Sequence, residues 1–226
     1  MVNPYQKAYF LLSVADVKQL PPDEGYEVAI VGRSNAGKSS TLNKLTNLKG
    51  LARVSKTPGR TRLVNIFVID DTRRLADLPG YGYAKAPRRE REAWQKTVDL
   101  YLRGRTCLKG VLLVMDVRHA FKELDLLLLD FCSQLDIPVH ILLNKADKLT
   151  QAEAYQVIKK AKSILTHYDN SVTLQPFSAT KGTGLKALHM QLNQWYGFKE
   201  GELTHDKKTI TKKDSPRKSK PKSHRS

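Results

Sequence analysis

The chain has 226 residues, 40% of them apolar, and a formal net charge of +17. That length suits one globular domain with room for a sizeable core. No apolar run reaches the roughly eighteen residues a membrane span needs, and Met1 to Lys7 is too polar for a signal peptide, so a cytoplasmic protein is expected. The cysteines, Cys107 and Cys132, have neither metal-ligand spacing nor a disulfide-rich setting and read as packing residues.

In chain order, residues 1–25 read as an N-terminal arm with one apolar patch, Tyr9 to Leu12, closed by Pro21-Pro22. Val28 to Val31 is short and mostly β-branched, as expected of a strand buried on both faces of a parallel sheet. Gly32-Arg33-Ser34-Asn35-Ala36-Gly37-Lys38-Ser39 follows, then a helix to about Leu45. This is the G-x-x-x-x-G-K-[ST] spacing of a phosphate-binding loop in its strand-loop-helix context. Gly32 and Gly37 let backbone N–H groups turn toward a phosphate at the positive end of the helix. Lys38 adds a point charge, and Ser39 offers a hydroxyl to Mg²⁺.

Thr46 to Arg62 lacks apolar periodicity and holds Thr57-Pro58-Gly59-Arg60-Thr61, which predicts a long surface loop of the kind that often carries function. Leu63 to Ile69 and Arg73 to Leu78 read as strands joined by a turn at Asp70-Asp71, which makes one edge strand antiparallel. The second ends in Asp77-Leu78-Pro79-Gly80 and runs into a glycine-rich stretch to Ala86. A helix is predicted from Arg88 to Arg103, a strand from Gly110 to Asp116 and a leucine-rich helix from Lys122 to Leu135. A strand from Pro138 to Leu143 then ends at Asn144-Lys145-Ala146-Asp147. A helix from Ala152 to His167, a strand from Val172 to Phe177 running into Ser178-Ala179, and a helix from Leu185 to Tyr196 complete the pattern.

Strands alternating with helices predict an α/β three-layer fold of the P-loop NTPase type, with a Ras-like, mostly parallel six-stranded sheet and one antiparallel edge strand. The nucleotide domain is expected over residues 26–200, and residues 201–226 as a disordered basic tail. Residues 207–226 hold nine Lys/Arg against Asp214, so +8 of the +17 lies there and +9 elsewhere. Ligands of such a sheet bind at the carboxyl ends of its strands, where the loops at Gly32, Asp77, Asn144 and Ser178 all fall. A lone Asp-x-x-Gly arises by chance almost once in a chain of this length, but the full ordered set falls well below about one in a thousand.

The residue types assign roles. Asp77 can hold a water on Mg²⁺, or else caps a turn, and Gly80 can give its N–H to a γ-phosphate. Thr61, with Thr57 as rival, is the threonine expected to reach Mg²⁺ when that phosphate is present. Asp147 accepts from the ring N–H and amine of guanine, which adenine does not offer in that arrangement, so GTP and GDP are the expected ligands. Asn144 braces the neighbouring loop, the stem of Lys145 covers the base, and Ala179 gives a backbone N–H to the guanine oxygen.

G-R-S-N-A-G-K-S-S at 32–40, S-K-T-P-G-R-T at 55–61, D-L-P-G-Y-G-Y-A at 77–84, D-x-R-H at 116–119, N-K-A-D at 144–147 and F-S-A at 177–179 together resemble the EngB-type GTPases, of the TrmE-Era-EngA-EngB-septin group. The resemblance covers about residues 10–198, and T-P-G-R-T with L-P-G-Y-G-Y-A is particular to that family. It implies a GTPase acting in assembly of the large ribosomal subunit of bacteria, with a link to division septum formation. By the same resemblance the nucleotide and metal site takes in Gly59, Arg60, Thr61, Arg62 and Leu63, Leu78 and Pro79, Ala146, and Phe177 to Ala179, with Lys38, Thr61 and Gly80 nearest the chemistry. Two departures stand out: Ala179 replaces a serine common in the family, and the basic tail is longer.

Tyr81 stands where Ras-type switches carry a water-orienting glutamine, so slow intrinsic hydrolysis is expected. Relatives lacking that glutamine use a monovalent cation held by a phosphate-loop asparagine. Asn35 occupies that position, either for K⁺ or as a loop brace. Arg60 is read as a phosphate or RNA contact, or as an arginine finger in cis. Lys85, Arg88, Arg89 and Arg91 form a basic cluster just past Gly80, either an rRNA-binding face that moves with the nucleotide or a solvated helix start. A monomer is expected. The rival reading is a module at the membrane or septum with incidental hydrolysis, against which no amphipathic helix with a basic polar face stands out.

Overall fold

The structure is a computed structural model and describes residues 3–52, 63–82, 88–168, 171–199 and 202–203. Its frame is seven strands, β1 (Tyr9–Val14), β2 (Tyr26–Gly32), β3 (Val64–Val68), β4 (Arg73–Asp77), β5 (Leu108–Asp116), β6 (Val139–Asn144) and β7 (Val172–Pro176). Five α-helices flank them: α1 (Lys38–Thr46), α2 (Arg88–Gly104), α3 (Glu123–Gln134), α4 (Gln151–Leu165) and α5 (Leu185–Trp195). The spatial order is β1-β3-β4-β2-β5-β6-β7. β4, β2, β5, β6 and β7 pair in parallel, while β3 runs antiparallel to both β4 and β1.

The sequence predicts six strands with an antiparallel one at the edge, whereas the sheet has seven and the edge is β1. Tyr9–Val14, read as part of an arm, adds itself outside β3, so the antiparallel strand lies one place in. The signal is weak for a physical reason. Tyr9, Phe10 and Leu11 are all exposed, and a bulge between Phe10 and Leu12 breaks the alternation that marks a half-buried strand.

The central strands are apolar throughout because both faces are covered. Ala29 and Val31 of β2 and Val111, Leu113 and Met115 of β5 pack with Val98, Tyr101 and Leu102 of α2 and Leu128 and Leu129 of α3. The alternate residues Val28, Ile30, Leu112 and Val114 face Leu42 and Leu45 of α1 and Leu188 and Leu192 of α5. Each such fully buried leucine or isoleucine is worth about 1.5–3 kcal/mol of transfer free energy.

The register aligns the carboxyl ends of the parallel strands. Ile30 stands opposite Asp77, Gly32 opposite Val114, Asp116 opposite Asn144, and Leu143 opposite Pro176. At the amino end, the fully buried Glu27 accepts from the Tyr101 hydroxyl (2.7 Å) and both arms of Arg105 (2.9 Å each), with Arg74 Nε at 3.3 Å. That ties the last turn of α2 to β2 and β4.

Candidate functional site: four loops at the carboxyl edge

The phosphate loop is shaped by contacts on both sides. A Cβ on Gly32 would lie 2.2 Å from the Val114 carbonyl oxygen, so this glycine permits close packing of β2 on β5 as well as the turn. Gly37 has φ +104°, and a Cβ there would lie 2.2 Å from Asn144 Nδ2. Asn35 is exposed and also left-handed (φ +65°), a conformation asparagine tolerates better than most residues.

Lys38 opens α1 and places Nζ 4.0 Å from Asp77 Oδ1. Asp77 is buried, and burial raises its pKa, with Lys38 and a hydrogen bond from Asn65 opposing. Among the described residues its Oδ1 has no hydrogen-bond partner. Gly80 packs directly on the phosphate loop: a Cβ there would meet Lys38 Nζ at 3.1 Å and Ser34 Oγ at 3.3 Å.

These features fit a magnesium ion held jointly with phosphate. Mg²⁺ takes oxygen donors and few protein ligands, and here a buried carboxylate oxygen that lacks a hydrogen-bond partner among the described residues lies on the strand beside the loop that carries Ser39. Among the described residues no group of three His, Cys, Asp or Glu could hold a metal without other donors.

The segment after Gly80 is stitched to the same loop, since Ser34 N donates to Tyr81 O (2.8 Å) and Tyr81 N to Gly32 O (3.4 Å). The Tyr81 side chain turns away from it into the core. Its hydroxyl donates to the buried Asp125 of α3 (2.5 Å), and its ring lies 4.9 Å from that of Trp94, whose Nε1 donates to Pro79 O (2.8 Å). Asp125 in turn accepts from Lys122 N (2.9 Å), capping the first turn of α3. Arg33 reaches the Gly82 carbonyl at 3.5 Å.

At the other end, Asn144 spans two loops: its Nδ2 donates to Ala36 O (2.8 Å) and its Oδ1 accepts from Ala179 N (3.1 Å). Lys145 donates to the Asn35 carbonyl (2.7 Å) and pairs with Asp116 (2.9 Å). Against the effect of burial, Arg118 and then Lys145 hold Asp116 well below the usual carboxylate range. Asp147 Oδ1 accepts the Ser178 hydroxyl (2.6 Å), which chiefly lowers its pKa. An acceptor-only carboxylate facing a ring N–H and an amine is the chemistry guanine calls for.

Lys38, Asp77 and Gly80 thus meet at one end, and Asn144, Lys145, Asp147, Ser178 and Ala179 at the other, joined through Ala36 and Asn35. Phe177 is buried beneath, and its carbonyl accepts from Ala146 N (3.0 Å). Leu78 is buried and Leu63 exposed. Gly59, Arg60, Thr61, Arg62, the rival Thr57, and Lys85 lie outside the described residues, as does the tail from residue 204 onward. Sequence reasoning assigned no role to Asp116, Asp125, His140 or Gln175. Asp116 alone had a usable signal, as the last residue of a strand that ends at the same edge.

Fold and loops together define a P-loop GTP-binding protein of the GTPase class. Residues 27–145 match the family described as "50S ribosome-binding GTPase", and residues 97–196 match the elongation factor Tu GTP-binding domain. The probable GTP-binding protein EngB of Coxiella burnetii (strain RSA 331) is 50% identical over 192 residues, covering 85% of this chain and 94% of that protein. The corresponding protein of Psychromonas ingrahamii is 48% identical over 204 residues, covering 88% and 94%. The chain belongs to the EngB family of GTP-binding proteins. The crystal structure of a probable GTP-binding protein engB has the same fold, with TM-score 0.62 at 23% identity, covering 76% of this chain and 98% of that one. Aquifex aeolicus Era bound to GDP and aluminium fluoride also shares it, with TM-score 0.60 at 24% identity and coverage of 76% and 57%.

Proposed function

We propose that the chain is a GTP-dependent switch, slow to hydrolyse GTP on its own, that joins and leaves the assembling large ribosomal subunit and through it supports normal cell division. The observation that carries this is one sheet edge where Asn144 and Lys145, beside the guanine-type acceptor Asp147, hydrogen-bond to the phosphate loop, whose Lys38 lies 4.0 Å from Asp77. Gly32 to Ser39 cradle the phosphates, with Lys38 on the terminal ones. Ser39 and Thr61, with Asp77 through a water, would hold Mg²⁺, which supplies positive charge to the phosphate oxygens when bound. Gly80 donates its N–H to the γ-phosphate, and Gly59 to Leu63 form the loop that answers to it.

Slow hydrolysis follows from Tyr81. Its side chain is engaged with Asp125, so the position after Gly80 presents no side chain to orient an attacking water. Asn35 would then hold K⁺, which supplies positive charge when bound. The exposed Arg89 and its basic neighbours at the start of α2, with the basic tail, contact rRNA, and the chain acts in the cytoplasm as a monomer.

The test is cosedimentation with purified ribosomal subunits and with anionic liposomes, each with a non-hydrolysable GTP analogue and with GDP. Binding to the large subunit that depends on the analogue is expected. Binding to liposomes alone would replace the ribosomal reading with a membrane or septum one. Turnover in K⁺ is expected to exceed that in Na⁺, and equal rates would leave Asn35 as a loop brace.

A further inference from the structure

Beneath the base-facing loop lies a buried polar relay that none of the roles above uses. His140 of β6 and Gln175 of β7 are both almost fully buried, and His140 Nε2 lies 3.0 Å from Gln175 Oε1. Gln175 Nε2 donates to the Gly184 carbonyl (2.7 Å). Because that amide nitrogen is committed to a carbonyl, the atom facing His140 is an acceptor, so His140 carries its proton on Nε2. Its Nδ1 then accepts from the Thr173 hydroxyl at 2.7 Å. Burial lowers the pKa of His140, which keeps this neutral tautomer in place.

Gly184 closes the loop that starts at Ser178. Within it Ser178 N donates to Thr183 O (3.1 Å) and Gly182 N to Ser178 O (2.7 Å). The Ser178 hydroxyl accepts from Lys181 N (3.0 Å) while donating to Asp147. The end at Gly184 is drawn hard onto β7. It is left-handed (φ +79°), and a Cβ would lie 2.5 Å from both Gln175 Nε2 and the Pro176 carbonyl oxygen. The side chain reaching under this loop from the sheet is therefore Gln175, set in turn by His140.

We propose that Gln175, oriented by His140, is a positioning residue for guanine recognition: it holds the Ser178 to Gly184 loop closed so that Ser178 aims Asp147 at the base. The inference rests on the assignment of Asp147 to guanine. A loosened loop weakens two-point contact more than one-point contact. GDP, which offers Asp147 a ring N–H and an amine, therefore suffers more than IDP, which offers only the ring N–H.

The experiment measures dissociation of fluorescent GDP and IDP from wild type, Gln175→Leu and Gln175→Glu. The glutamate variant keeps the side-chain volume and the acceptor for His140 but removes the donor to Gly184. Loss of one hydrogen bond should speed GDP release roughly tenfold in both variants, with a smaller effect on IDP, so the ratio of GDP to IDP affinity falls. A general loss of stability would lower the folded fraction without changing that ratio. Unchanged GDP release and an unchanged ratio in either folded variant overturn the proposal. Should neither variant fold, nitrogen chemical shifts of His140 in the wild-type protein decide, the Nε2–H tautomer supporting the relay and the Nδ1–H tautomer overturning it. A wild-type chain that does not prefer GDP to IDP would instead overturn the guanine assignment on which the relay depends.

Discussion

Two carboxylates, Glu27 and Asp77, sit at opposite ends of neighbouring strands of one sheet, both buried, and they are treated in opposite ways. Glu27, at the amino edge, is met by a hydroxyl and two guanidinium groups. Asp77, at the carboxyl edge, keeps one oxygen with no hydrogen-bond partner among the described residues, with Lys38 4.0 Å away. A buried carboxylate oxygen without a hydrogen bond is costly, so its survival at one edge and not the other fits room for a ligand there. The amino edge closes the structure, and the carboxyl edge leaves it open for chemistry.

The contrast is broken most severely at Glu27. Glu27→Ala would strand Arg105 and Tyr101 in the core and is expected to cost about 3–5 kcal/mol, read from urea denaturation. Guanine nucleotide affinity of the remaining folded protein should stay near wild type, because the change lies a full strand length from the loops. Lys38→Ala inverts that outcome. Removing charge-assisted bonds to phosphate should cost about 3 kcal/mol of binding, roughly a hundredfold or more in GTP affinity by calorimetry, with little loss of stability. A variant that binds GTP normally would remove the phosphate role. Asp147→Asn should turn an acceptor partly into a donor, lowering GTP affinity roughly tenfold or more and favouring XTP in competition binding. Unchanged base preference would dissociate Asp147 from the base.

How much of this was legible before the structure follows the same division. The carboxyl edge announces itself in the chain because phosphate and guanine chemistry demand particular residues at short spacing, so Gly32 to Ser39, Asp77 to Gly80, Asn144 to Asp147 and Ser178-Ala179 could be singled out as candidates from the sequence. The amino edge could not. Tyr101 and Arg105 lie 74 and 78 positions from Glu27, and nothing local distinguishes a buried glutamate from one at a strand's wet end. Strand β1 was missed because most of its side chains are exposed, and the relay from His140 to Gly184 because it joins two strands and a helix start through side-chain hydrogen bonds that leave no local pattern. Tyr81 shows the boundary between the two. Its position in the chain suggests slow chemistry, yet only the fold reveals that its hydroxyl is spent on Asp125.

That contact yields a smaller effect. Tyr81→Phe would leave the buried Asp125 with the Lys122 N–H as its remaining bond from this network, at a cost of about 1–3 kcal/mol in stability by thermal denaturation. GTP turnover of the folded variant should be nearly unchanged, because the lost hydroxyl faces α3 and not the phosphate loop. A large fall in turnover would mean that Tyr81 swings toward the nucleotide during the reaction.

The gentlest probe is pH. Burial pushes the pKa of His140 below its ordinary value of 6.5, so the unfolded chain takes up a proton that the folded one refuses. The associated stability is fully present above about pH 6.5 and is lost as pH falls from there toward the lowered folded value. His189, whose pKa is also lowered by burial, acts with the same sign. Urea midpoints should therefore decline between about pH 7.5 and 5.5 in wild type and decline less in His140→Asn, which has no ring to protonate. Equal declines would mean that the imidazole finds water in the folded state, and the relay under the Ser178 loop would then rest on a solvated histidine that could not hold Gln175 in one orientation.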